Sequence, residues 1–149
     1  MWTDRNDELL MKILDEIIPA GGARRMPSAG VKAVAESVLS ATAYSDNPVE
    51  SVTVVLQAVE SRAGDFAGLP APERVALLKL VEADHPAPFN ELVRLTYMAY
   101  YSRPEIRPLL GVGAHPVHPG GYEVTRESED LMNDLTAPVR ARGIAYRQV

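Results

Sequence analysis

Three histidines, at positions 85, 115 and 118, are the side chains of this sequence best suited to metal or proton chemistry. His115 and His118 stand three apart in His115-Pro116-Val117-His118-Pro119, a stretch stiffened by its prolines. Two imidazoles at that spacing can bind a metal, but a third ligand is required and no particular carboxylate is marked out to supply it. The same stretch also reads as a contact surface whose histidines hydrogen-bond, which is the favoured reading, or as a plain connecting loop. Glu82 and His85 form Glu-x-x-His, half the ligand set of a carboxylate-bridged di-iron bundle. No second copy occurs, and a histidine at a helix C-terminus suits the dipole and the free carbonyls there. Gly111-Val112-Gly113 opens like a dinucleotide-binding loop, yet it lacks the third glycine, follows no strand and meets Pro116. A turn-rich loop is the better account. No phosphate-binding loop, serine nucleophile elbow or His-Glu-x-x-His motif is present. The chain has no cysteine, which removes disulfides, thiolate zinc sites and cysteine nucleophiles together.

Tyr97, Tyr100 and Tyr101 lie at i, i+3 and i+4 and so share a helix face. They fit two roles: core residues whose hydroxyls reach the edge, or an interface patch, where an apolar body meets a polar rim.

Helices must position these groups, because the apolar spacing is helical almost throughout. Leu9, Leu10, Ile13, Leu14, Ile17 and Ile18 form one face, behind acidic Asp4, Asp7 and Glu8; Pro19 and Gly21-Gly22 stop that helix. Ser28 is a candidate cap for a second, with Val31, Val34, Ala35, Val38 and Leu39 as its stripe. Asn47-Pro48 starts a third, over Val49, Val52, Leu56 and Val59, although Val52-Thr53-Val54-Val55 has β propensity. Pro72 starts a fourth, with Val75, Leu77, Leu78, Leu80 and Val81, ended at His85-Pro86. The fifth, about 88–102, leaves only a narrow polar strip at Asn90, Glu91 and Arg94, as expected of a central helix or one covered by a partner. Residues 103–122 are rich in proline and glycine, with one short helix expected at 104–110. A last helix is expected near 126–135, with Pro138 breaking or restarting it. The expectation is an all-α single domain over 1–149: about six helices and a long Gly/Pro-rich loop near the C-terminus.

The net charge of −5 makes a poor surface for non-specific nucleic-acid binding, which needs clustered cations. No apolar run approaches the roughly 20 residues of a membrane span, so no membrane insertion is expected. Residues 1–18 are too acidic for a signal peptide, and Arg24-Arg25 is not followed by an apolar region, since Lys32 and Glu36 interrupt it. A cytoplasmic location is expected.

The stretch Leu14 to Ala20, LDEIIPA, followed by Ser28 to Leu39, SAGVKAVAESVL, resembles the small (third) subunit family of gluconate 2-dehydrogenase. Tyr100 to Gly111, YYSRPEIRPLLG, and the Gly/Pro-rich segment through Tyr122 are similar to later parts of that family. The distinctive part is the pairing of Ile-Ile-Pro with Ala-Gly-Val. The resemblance implies a non-catalytic accessory subunit with no cofactor in this chain. FAD and the chemistry on sugars or polyols would belong to a large GMC-type oxidoreductase partner. Family members commonly carry a twin-arginine export signal, and this sequence departs from that pattern, which favours a cytoplasmic complex. The expected partner face comprises Tyr97, Tyr100, Tyr101, His115, Pro116, His118 and Tyr122, within and just before the segment 103–122. Two other classes stay open: a stand-alone metal-dependent enzyme using His115 and His118, and a homo-oligomeric helical scaffold.

Overall fold

A computed structural model describes residues 2–114 and 127–143. These residues are all-helical: α1 Asp4–Ile17, α2 Lys32–Leu39, α3 Pro48–Arg62, α4 Ala71–Asp84, α5 Pro86–Tyr101, a short 3-10 turn Arg107–Leu110, and α6 Glu129–Ala141. The chain divides into two compact units, Met1–Pro116 and Val117–Val149, so α1–α5 and α6 are described in turn. No helix among the described residues is long and apolar enough to cross a membrane.

In the first unit α5 packs against α1, α2, α3 and α4. This is the central placement that its narrow polar strip calls for. Phe89, Leu92, Leu95, Thr96 and Tyr100 are its buried residues, and the Thr96 hydroxyl is satisfied by the Leu92 carbonyl at 2.7 Å. Around it, Leu10, Ile13 and Leu14 of α1, Val34 and Val38 of α2, Val52, Val55, Leu56 and Val59 of α3, and Leu78 and Val81 of α4 complete one core. The β-branched run in α3 is helical because Val52 and Val55 are buried there, and that burial outweighs strand propensity. Val49, Val75 and Leu80, assigned to apolar stripes by spacing, are exposed.

Helix ends follow local chemistry with three corrections. Thr3 caps α1 in a reciprocal capping box with Asn6, and Asn47 caps α3 with Pro48 in its first turn. Ser28 does not cap α2, whose N-cap is Val31. Its hydroxyl instead donates to Asp15 of α1 and accepts the Gly30 amide at 2.8 Å, a tertiary tie in place of a cap. The fifth helix starts at Pro86 rather than 88, since a proline fits the first turn. His85 thereby closes α4 and opens α5, its amide bonded to the Val81 carbonyl. α6 begins at Glu129, capped by Ser128, and runs through Pro138 to Ala141. Proline removes the donor that the Asp134 carbonyl would have used, and α6 buries no residue, so that carbonyl is not trapped in a core.

The connection between α1 and α2 is the most constrained loop. The Ala29 amide bonds to the Ile18 carbonyl at 3.0 Å, and the Tyr100 hydroxyl donates to the Pro27 carbonyl. Gly30 lies against α1 so closely that a Cβ there would meet the Met11 carbonyl oxygen at 2.6 Å and the Asp15 Cβ at 2.8 Å. A second tie is the mostly buried pair Arg74–Glu16 at 2.6 Å, joining α4 to α1.

Candidate interaction surface

The three tyrosines of α5 separate by one turn of helix. Tyr100 is buried, while Tyr97 is 44% and Tyr101 36% exposed. Tyr97 and Tyr101, at i and i+4, stack with ring centroids 5.8 Å apart and planes 13° from parallel. Tyr100 meets Tyr101 edge-on at 5.0 Å. Burial raises the Tyr100 phenol above its ordinary pKa, the neighbouring Tyr101 adds to this, and Arg103 opposes it. Tyr100 is therefore a core residue that orients Tyr101, and Tyr97 and Tyr101 are the aromatic rings that α5 exposes to solvent.

Beyond Ser102 the chain turns on Ile106, which inserts into the core. The amides of Ile106 and Arg107 both bond the Arg103 carbonyl, which leads into the 3-10 turn. Gly111, at φ 80°, closes that turn in a conformation glycine accepts without strain. Leu109, Leu110 and Val112 are exposed as a result. The arginines around them are tied to backbone or carboxylate. Arg24 donates to the Leu109 carbonyl at 2.9 Å, Arg107 to the Gly113 carbonyl at 2.8 Å, and Arg103 pairs with Glu105. Glu105 is held below the ordinary carboxylate range by its own backbone amide first and Arg103 second. Aromatic and apolar groups exposed to solvent are among those that protein–protein contacts use.

His115, Pro116, His118 and Tyr122 lie outside the described residues. Glu82 is exposed rather than inward-facing, and His85 serves as the shared cap. Among the described residues no group of three or more His, Asp or Glu side chains is arranged to hold a metal.

Comparison with family models, with curated proteins and with solved structures finds no match for this chain.

Of two further features, the cleft was not read from sequence, whereas the last helix with Leu131, Met132 and Leu135 was. One is a cleft of about 730 Å³ between α1, the 28–30 loop and the α3–α4 connection, with Leu9, Met11 and Phe66 beneath charged Arg5, Lys12 and Glu60. It arises from tertiary packing of segments some 50 residues apart, which periodicity cannot see. Its Ser28 hydroxyl donates to Asp15 and accepts the Gly30 amide, and among the described residues no histidine lines it. The other is the apolar face of α6. Leu131, Met132, Leu135 and Val139 share one side of the helix and are 42% to 64% exposed. An amphipathic helix that buries nothing of its own is suited to a partner groove.

Proposed function

We propose that this chain is a non-catalytic accessory subunit of a cytoplasmic FAD-dependent oxidoreductase acting on sugars or glycosides. In this reading it binds the large GMC-type flavoprotein and supports its folding, stability or activity. The observation that carries the reading is the exposed, mutually stacked pair Tyr97–Tyr101 at the end of the central helix, leading to exposed Leu109, Leu110 and Val112. Large rigid rings at low entropic cost are the anchors that dominate interface energetics. The resemblance of the Ile18–Pro19 and Ala29–Gly30 segments to the small-subunit family supplies the partner's class. The bond between Ile18 and Ala29 supports treating those segments as one structural unit. The flavin, the substrate pocket and the electron acceptor belong, in this proposal, to the large subunit.

Co-expression of the chain with a candidate large GMC-type flavoprotein subunit tests the proposal. The expected result is co-elution at a combined mass with flavin absorbance, and loss of soluble or active flavoprotein when the small chain is omitted. Separate elution, with full flavoprotein activity in the absence of this chain, would contradict it.

A further inference from the structure

The Arg24-Arg25 pair, set aside in sequence as an export signal, has a defined place in the fold. Gly21 and Met26 bond each other through both amides, at 2.8 and 2.9 Å, which closes a tight turn with the two arginines near its tip. Gly21 and Gly22 take positive φ there at no steric cost. Arg25 also has positive φ, 49°, and is the one non-glycine residue to do so among the described residues. A long side chain in the left-handed region is strained, and such strain gathers where function requires a fixed geometry.

This turn is attached to the aromatic surface at two points. Arg24 reaches the Leu109 carbonyl on the 3-10 turn, and Pro27, just past Met26, receives the Tyr100 hydroxyl beneath Tyr101. Arg25 is exposed, and its guanidinium has no hydrogen-bond or ion-pair partner among the described residues. Arg103 pairs with Glu105, whereas Arg24 bonds a carbonyl and Arg25 meets no carboxylate among the described residues, so the turn carries positive charge at this end. It stands out in a chain of net charge −5.

We infer that the Gly21–Met26 turn is the electrostatic half of the tyrosine docking surface, built to present Arg25, with Arg24 behind it, to a carboxylate-bearing protein segment. The inference rests on the proposed role of that surface but not on which protein occupies it. Its contribution is to steering and register, which a rim charge governs more than it governs total affinity.

The test uses the whole chain labelled for NMR, with polyglutamate as the probe. Amide shifts should appear at residues 21–26, 101 and 109, and should vanish at about 0.5 M salt, where screening is nearly complete. Arg25→Gly should weaken polyglutamate binding by roughly fivefold, the scale of one good surface ion pair. Its melting temperature should stay equal or rise, because glycine relieves the positive φ. That combination separates a binding role from a structural one. Shifts spread evenly over all arginines, including Arg140 and Arg142, would overturn the inference, as would an Arg25→Gly variant that binds unchanged. Tighter binding of oligothymidylate than of polyglutamate would overturn the protein occupant. Failure of the flavoprotein to co-elute, with the localised shifts intact, would remove the proposed partner and leave this surface standing.

Discussion

The amide of Ala29 donates a 3.0 Å hydrogen bond to the carbonyl of Ile18, which joins the exit of α1 to the loop that starts α2. Around this bond, Ser28 ties to Asp15, Pro27 receives Tyr100, and Gly30 presses on the Met11 carbonyl. The Ile-Ile-Pro and Ala-Gly-Val segments are thus two sides of one junction. Ala29 is small because it is fully buried there, and Gly30 lacks a side chain because α1 occupies the space.

Gly30→Ala should therefore be destabilising. Its new methyl would lie 2.6 Å from a backbone oxygen of α1, which cannot rotate away. Overpacking of this kind costs about 1–3 kcal/mol. Gly64→Ala is the control, since a Cβ there meets nothing within 4 Å. Thermal denaturation of both variants should show a fall of several degrees for the first and none for the second.

Glu91 and Arg94 predict an acid-side effect. Their hydrogen bond, with help from Ser45, lowers the Glu91 pKa below its ordinary value of 4.5. A lowered carboxylate contributes stability that is fully present above the unfolded value and is lost as pH falls through the folded one. Arg94→Gln should be less stable than the parent above pH 4.5, and the difference should shrink below it. The pair is half-exposed, so the effect should be small and should diminish with salt. Urea midpoints measured across this range check it; a gap that widens toward low pH would be the wrong sign.

Tyr100 predicts an alkaline effect of the opposite kind. Its raised pKa means that above 10.0 the unfolded chain loses a proton that the folded chain keeps, so stability falls as pH rises from there toward the folded value. Tyr100→Phe cannot ionise. It also loses the bond to the Pro27 carbonyl, which costs about 1 kcal/mol near neutrality. The two stability curves should be separated at neutral pH and converge above 10.0. Parallel curves would show that Tyr100 ionises as readily folded as unfolded.

Much of the fold was legible in sequence because helical spacing and end signals are local. The α1 stripe and the Asn47-Pro48 start are as expected. What was not legible depends on residues distant in sequence. Ser28 has the chemistry of a cap, but Asp15, on the preceding helix, competes for its hydroxyl and wins. Spacing places Val75 and Leu80 with Leu78, yet only Leu78 faces the core, because neighbouring helices cover only part of α4. At the candidate surface, spacing grouped three tyrosines. It could not tell that Tyr100 turns inward to Pro27 while Tyr97 and Tyr101 stay out. The Arg25 turn was missed because two arginines carry no sequence mark of a left-handed backbone.

Sedimentation followed at flavin wavelengths shows whether the exposed tyrosine pair docks a flavoprotein. The measurement compares the unmodified chain with a Tyr97→Ser/Tyr101→Ser variant. Both rings are exposed, so the variant should stay folded, losing about 0.5–1.5 kcal/mol of ring stacking. Its circular dichroism should keep the helical signal. The unmodified chain should shift the flavin boundary to a larger sedimentation coefficient, and the folded variant should leave it in place, as expected when two anchors worth roughly 2 kcal/mol each are removed. A folded variant that shifts the boundary as fully as the parent, or a parent that never shifts it, would contradict the claim.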